Sequence, residues 1–543
     1  MSYRRLTVVL TAALGGCLDS GLPADPPDLA RPADLTATPD LVTVADQAMP
    51  PAPDLAVADA LMDLSAPADL SKPDLAAPPD LVTVSQDAAV LETVSHPREL
   101  RGVWVGTVFR LDFPSTTTLT VNQATTELQG IVDLTASSGL NAIFFQIRPE
   151  SDAVYSSTLE PWSRYLTGTQ GTAPPYDPLA ILIDLGHKKG IEIHAWMNPY
   201  RASATAANPT VASHVTKLYP DAAITYNGQI TMNPADTRVR DHVIAVVADV
   251  TTRYDIDGVV FDDYFYPYPT ATPFPDDASY SAYTSGGGML SKSDWRRSNV
   301  NSLVSGVAAA IRGAKSWVRF GVAPFGIYRP GIPAGVTGTD AYEVLACDSV
   351  YWMNQGWVDY LAPQLYWTTG SAGQPFGTLI DWWASIAQPG RPVFASLALY
   401  KVGTAPEWTT TEMETQVSLS RAEANAQGQT WYRYGFLKSN VSNIGASFAS
   451  FYAKPARPPV VPGAAADVVA APSVGIAGDT LTLGHAAPST IRGYAVYKQV
   501  GTFSLNRWVP VGSAPVTLTA GRYSVSAIGR GGVESEGVAV VLP

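Results

Sequence analysis

From residue 99 to about residue 453 a short apolar run rich in β-branched and aromatic residues recurs eight times, with amphipathic runs at helical spacing between them. The first kind of run suits a strand buried on both faces, as in a parallel sheet, and parallel strands need a helical crossover between them. Eight such units fit a closed (β/α)8 TIM barrel, an α/β fold. Strands are expected near 100–108, 141–147, 191–196, 258–261, 318–323, 360–365, 393–399 and 431–437. Helical patterns fall between them at 125–138, 178–189, 236–254, 295–316, 379–387 and 412–426. The surplus length sits in 199–232 and 264–293, and long loops after barrel strands are where substrate clefts are built.

The flanks obey other rules. Residues 1–17 carry Arg4 and Arg5, the apolar run from Leu6 to Leu14, then Gly15-Gly16-Cys17, the form of a short export signal. Leu14-Gly15-Gly16-Cys17 resembles a bacterial lipobox, which makes Cys17 the expected lipidation site and membrane anchor. Leu18 stands where an aspartate would resemble an inner-membrane retention signal, so the outer membrane is favoured. Residues 18–95 repeat a Pro-x-Asp-Leu theme (Asp28-Leu29, Asp54-Leu55, Asp80-Leu81) and hold fourteen acidic residues against two basic ones, nearly the whole net charge of −13. A segment so acidic and without aromatics cannot bury enough surface to offset its ordering entropy, so it is expected to be a disordered tether. The barrel is assigned to 96–455 and ends at Lys454-Pro455-Ala456-Arg457-Pro458-Pro459. Residues 466–543 show short alternating strands and no helical pattern, as in a small fibronectin type III-like β-sandwich serving as spacer or carbohydrate-binding accessory.

Composition excludes some chemistries. With the tether set aside the chain is nearly neutral, and no basic stripe remains to hold nucleic acid. Cys17 and Cys347 imply no disulfide framework, and Cys347 reads as a small buried residue. The six histidines show no ligand spacing, so no metal or other cofactor is implied.

The acids that matter follow Ile256-Asp257-Gly258-Val259-Val260-Phe261. Asp262 and Asp263 stand at the C-terminal end of that strand, where barrels place reacting groups, whereas Asp257 stands at its start. Cleaving a glycosidic bond usually takes two carboxyl groups on opposite sides of it. Successive strand residues point to opposite faces, so one of the two should supply one acid, with its partner from another strand end. Asp152, beyond the second strand, is the best candidate partner, and Arg148 could hold a strand-end acid ionised or orient the sugar. His194, Trp196 and Asn198 alternate onto one side of the third strand, suited to hydroxyl hydrogen bonding and ring stacking. Gln364, Tyr366 and Trp367 end the sixth strand, and Tyr264 follows the acid pair; these too are candidates for sugar contact.

Several motifs occur in order: Glu99-Leu100-Arg101-Gly102-Val103-Trp104, Phe145-Gln146-Ile147-Arg148-Pro149, Glu160-Pro161-Trp162-Ser163, His194-Ala195-Trp196, Asn198-Pro199-Tyr200-Arg201, Phe261-Asp262-Asp263-Tyr264 and Ala362-Pro363-Gln364-Leu365-Tyr366-Trp367. Together they resemble the bacterial glycosyl-hydrolase-like lipoprotein family of DigH-like proteins, over residues 97 to 453. The resemblance implies a TIM-barrel glycosidase of the cell envelope acting on a polysaccharide, with peptidoglycan stripped of its stem peptides as the substrate class. It does not by itself fix the catalytic residues. The rival reading is a noncatalytic glycan-binding or wall-attachment lipoprotein, and the discriminator is a second carboxylate within glycosidase reach of Asp262 or Asp263. Metal-dependent deacetylation is disfavoured by the lack of a His pair near the acids.

Overall fold

The eight apolar runs pair side by side, each parallel to the next, and the ring closes on itself. In a computed structural model that describes residues 82–84 and 90–543, the barrel strands are β1 (Leu100–Val105), β2 (Ala142–Arg148), β3 (Glu192–Met197), β4 (Gly258–Phe261), β5 (Arg319–Val322), β6 (Tyr360–Leu361), β7 (Val393–Ala398) and β8 (Ala426–Tyr432). After them come α1 (Val121–Ser137), α2 (Pro178–Lys188), α3 (Thr237–Arg253), α4 (Lys292–Ala314), α5 (Ser349–Asn354), α6 (Phe376–Ser385), α7 (Thr410–Ala422) and α8 (Ile444–Phe451). Local chemistry sets the helix starts: Thr120 and Gln123 form a reciprocal capping box on α1, and Asp177, Asp236 and Thr409 accept from first-turn amides of α2, α3 and α7.

The barrel interior is filled by alternating large and small side chains. A Cβ on Gly258 would lie 2.5 Å from the His194 ring, and one on Gly321 would lie 2.1 Å from the Tyr360 ring, so each glycine makes room for a ring on a neighbouring strand.

The eighth strand differs from expectation. It spans Ala426–Tyr432, and the residues expected to continue it form a short helix, Tyr434–Lys438. The polar start Gln427-Gly428-Gln429 hid it: Gly428 passes so close to the Leu100 carbonyl that a Cβ would sit 2.1 Å away. The aromatic alternation further along drew the expectation downstream. The two long loops are also more ordered than loops need be. The first carries a three-stranded sheet (Arg201–Ser203, Ala223–Tyr226, Gln229–Met232), and Tyr226 donates to the Thr272 carbonyl of the second at 2.8 Å.

Beyond the barrel lie two antiparallel sheets sharing one apolar core built around Val474, Leu481, Tyr494, Val496, Val525 and Val540. Each takes a strand from the segment expected to be tether up to residue 95. Val82–Val84 pairs with Ser473–Ala477, and Leu91–Glu92 pairs with Gly537–Leu542. The Pro-x-Asp-Leu repeat stops at Leu81, and the β-branched residues after it join a sheet edge in runs too short to signal by alternation. Cys17 and the rest of the expected tether lie outside the described residues.

This all-β module docks on the barrel end opposite the mouth. Arg492 meets Asp257 at 2.6 Å and Asp255 at 2.8 Å, Arg530 meets Asp255 at 2.6 Å, and the Trp508 indole donates to the His187 carbonyl at 2.9 Å. Trp508 packs over Gly190, where a Cβ would lie 2.8 Å from the ring. Burial alone would raise the Asp257 pKa, but Arg492 and His187 outweigh it and hold the carboxyl well below the usual range. Removing one partner of a buried ion pair strands the other charge. Arg492→Met should therefore cost about 3–5 kcal/mol at pH 7. Because the depressed Asp257 contributes stability above the ordinary carboxylate pKa of about 4 and loses it as pH falls, the deficit should shrink on acidification. Chemical denaturation of both proteins across that pH range reads it.

Candidate functional site

Asp262 and Asp263 follow β4 directly, at the barrel mouth, and their side chains lean to different sides. Asp262 turns toward β3: its Oδ2 accepts from Trp196 Nε1 at 3.1 Å and its Oδ1 from Asn198 Nδ2 at 2.8 Å. Asp263 turns toward β5 and β6: its Oδ1 accepts from Gln364 Nε2 at 3.0 Å, and its Oδ2 accepts from the Tyr268 hydroxyl. Gln364 is fixed by a second hydrogen bond, to the Ala323 carbonyl at 3.0 Å.

Both carboxyls are nearly out of water, Asp262 at 6% and Asp263 at 2% exposure, so desolvation dominates and raises both pKa values. Their surroundings then separate them. Around Asp262 the Arg201 charge and the donors Trp196, Asn198 and Tyr264 favour the ionised form. Asp263 feels burial together with the charge of Asp262, and is pushed up to about 7 although Tyr268 and Gln364 donate to it. One acid of the pair is thus poised to carry a proton at neutral pH beside another biased toward charge, the condition for dividing acid and acceptor roles.

Two residues beyond Gln364 a cleft of about 770 Å³ opens between the ends of β6 and β7, lined by Tyr366, Trp367, Lys401, Glu407, Trp408 and Glu412 among others. Lys401 lies over the Trp408 ring at 5.0 Å and donates to the Tyr366 carbonyl at 2.8 Å. Apolar rings interspersed with hydroxyls and charges suit a sugar, whose faces are apolar and whose rim is polar. Among the described residues no group of three or more His, Cys, Asp or Glu could hold a metal ion.

Comparison with known proteins places the chain in a family. Residues 99–412 match the family described as glycosyl hydrolase-like 10. The chain belongs to that family. It is similar to the glycosyl hydrolase YngK of Bacillus subtilis (strain 168), 38% identical over 380 residues, which cover 67% of this chain and 74% of that one. It is also similar to the glycosyl hydrolase DigH of Escherichia coli (strain K12), 33% identical over 383 residues, 65% of this chain and 86% of that one. Among solved structures, the α-L-fucosidase isoenzyme 2 from Paenibacillus thiaminolyticus aligns at 14% identity and a TM-score of 0.42, over 65% of this chain and 49% of that one. The protein is a glycoside hydrolase, and its substrate a polysaccharide.

Within this glycosyl hydrolase the expected site residues divide. Asp262, Asp263, Trp196, Asn198, Tyr264 and Gln364 converge on the acid pair, and Tyr366 and Trp367 line the cleft. Trp196 and Asn198 act through Asp262 rather than as a sugar platform, since both are buried and both donate to it. Arg148 does not reach the cleft: it is fully buried, bidentate to Glu160 at 2.5–3.0 Å, and donates to the Asn198 and Pro199 carbonyls at 2.7 and 3.1 Å, fixing the loop that carries Asn198. His194 is a core residue, held between Tyr360 at 3.0 Å and Glu192 at 3.1 Å, below the mouth. Asp152 is fully buried; its oxygens accept from Glu150 N at 3.2 Å and Gln170 Nε2 at 3.1 Å, and burial with Glu150 beside it raises its pKa.

Two contributors were not expected. Arg201 ends the Asn198-Pro199-Tyr200-Arg201 motif, and its charge biases Asp262; its Nε donates to the Pro149 carbonyl at 3.0 Å, while its buried Nη2 has no hydrogen-bond partner. Tyr268 sits five residues past Asp263 in Tyr266-Pro267-Tyr268-Pro269, where proline stiffness could have marked a placed phenol. Because Tyr268 stabilises charged Asp263, Tyr268→Phe should raise the Asp263 pKa. A general acid works protonated, so kcat/KM should fall as pH rises through about 7 in the wild type. In Tyr268→Phe that alkaline limb should move to higher pH, and Asp263→Asn should lower kcat about 10²–10⁴-fold. A pH–rate profile of the three proteins checks both.

Proposed function

We propose that this enzyme cuts the glycan strands of peptidoglycan in the cell envelope, with Asp263 protonating the leaving oxygen and Asp262 as the charged carboxyl beside it. The observation that carries the reading is the buried, environmentally divided acid pair at the barrel mouth, with a cleft lined by Trp367, Trp408 and Tyr366 beginning two residues past the Gln364 that binds Asp263. Membership of the glycosyl hydrolase-like 10 family supports the reaction class. The envelope setting is supported by the lipobox-like Leu14-Gly15-Gly16-Cys17 and the long Pro/Ala/Asp-rich segment after it. A lipid at Cys17 would hold the protein on a membrane from the side of the all-β module, which residues 82–84 and 91–92 join. Because that module covers the far end of the barrel, the mouth would face away from the anchored side, toward the wall.

The purified protein should release soluble saccharides from peptidoglycan freed of stem peptides. Trp367→Ala should raise KM about tenfold with kcat within about twofold, since a stacking platform binds ground and transition states alike. Cys17→Ser should move the protein from the membrane to the soluble fraction. Failure of the wild type to release sugar from any peptidoglycan preparation, with release from another polysaccharide, would replace the substrate.

A further inference from the structure

A glycosidase that uses two carboxyls needs one on each side of the anomeric carbon, roughly 5–10 Å apart. Besides Asp177, which caps α2, the loops after β1 and β2 supply Asp112, Glu150, Asp152 and Glu160, and each is already committed. Asp112 binds Arg433 and accepts from Gly106 N and Gly435 N, both at 2.8 Å. Glu150 accepts from Arg164 at 3.0 Å and Ala204 N at 2.6 Å, Asp152 from Glu150 N and Gln170, and Glu160 from Arg148 and His242. All four side chains are fully or almost fully buried. Of the two acids lining the cleft, Glu412 accepts from Thr369 N at 2.7 Å and Thr369 Oγ1 at 2.8 Å, and Glu407 lies exposed on the loop after β7. Directly at a strand end stand Asp262 and Asp263, on consecutive residues, while Asp348 in the loop after β5 accepts from the Tyr328 hydroxyl at 3.0 Å and from Tyr351 N at 3.2 Å. Asp262 is ill suited to attack carbon, because Trp196, Asn198 and Tyr264 donate to it and the Arg201 charge draws on the same electrons. It is well suited to accept one more hydrogen bond.

We infer that the nucleophile belongs to the substrate: the enzyme cleaves glycans of 2-acetamido sugars, Asp262 orienting the acetamido group so that its carbonyl oxygen attacks C1 while Asp263 protonates the leaving oxygen. This rests on the glycosidase reading above. In the first step the acetamido oxygen forms a bond to C1, the C1–O bond to the leaving sugar breaks, and the proton of Asp263 passes to that oxygen. Asp262 accepts the hydrogen bond of the acetamido N–H and balances the positive charge of the resulting oxazolinium ring. In the second step water adds to C1 from the vacated side and gives its proton to the Asp263 carboxylate, while the bond from C1 to the acetamido oxygen breaks. One water is consumed, Asp263 regains its proton, and the configuration at C1 is retained.

The test follows the first-formed anomer by proton NMR during cleavage of N-acetylglucosamine oligosaccharides and of stem-peptide-free peptidoglycan strands by the full-length protein, with de-N-acetylated oligosaccharides alongside. Retention is expected, with kcat/KM on de-N-acetylated chains lower by at least about 10³-fold and inhibition by the thiazoline analogue of N-acetylglucosamine. Asp262→Asn, checked for wild-type thermal unfolding, should lose at least about 100-fold in kcat without rescue by azide. Inversion, equal turnover of acetylated and de-N-acetylated chains, or a Glu407→Gln variant inactive until azide restores it would overturn the inference and leave the hydrolase standing. No cleavage of any glycan would overturn the glycosidase reading and this inference with it.

Discussion

Two carboxyls on consecutive residues, both held out of water at the end of β4, set the terms for everything around them. Desolvation penalises charge on either, and their mutual repulsion penalises charge on both, so the site must supply donors to one and leave the other a proton. The sequence does this with neighbours from different strands: Trp196 and Asn198 from β3 and the loop after it serve Asp262, while Gln364 past β6 and Tyr268 in the loop after β4 serve Asp263. Each donor is itself fixed. Asn198 Oδ1 accepts from Tyr200 N and Arg201 N, and Gln364 is pinned to the Ala323 carbonyl. Preorganisation of this kind places partial charges without reorganisation when a reaction needs them.

The rest of the barrel keeps that arrangement in register. Arg148 and Glu160 form a buried pair that ties the loop after β2 to the backbone at Asn198 and Pro199, and His242 from α3 closes it. Burial would raise the Glu160 pKa, but Arg148 and His242 hold it at about 2, so the clasp stays charged through any pH at which the acid pair titrates. At the opposite end the all-β module is held by Arg492, Arg530 and Trp508 on residues that precede β3 and β4. Anchoring contacts and chemistry thus sit at opposite ends of the same strands, as barrels generally arrange them.

Much of this was legible because barrels write strands as apolar runs and chemistry at their ends. Asp262, Asp263, Asn198 and Gln364 stood out by position alone, and Asp257 was placed at a strand start, where it binds Arg492. What sequence could not convey was direction. Arg148 and His194 carry functional groups on the right strands, yet the register shift between Gln146 and Arg148 turns the arginine aside, and the glycine opposite His194 invites its ring into the core. Asp152 lies on the right loop but folds back onto Gln170. The eighth strand was expected a few residues downstream of its place, and the two strands before residue 95 were missed, because glycine, glutamine and short edge runs carry no periodic signal.

The claim on which the account turns is that one acid of the pair holds a proton near neutrality. Carboxyl carbon NMR of aspartate-labelled protein, titrated from pH 4 to 9 and assigned with Asp263→Asn, measures it directly. The account predicts a titration near pH 7 that disappears in the variant. Asp152, whose pKa is also pushed up to about 7, should titrate there in both proteins; if no signal near pH 7 is lost in Asp263→Asn, the pair is not divided and Asp263 is not the acid.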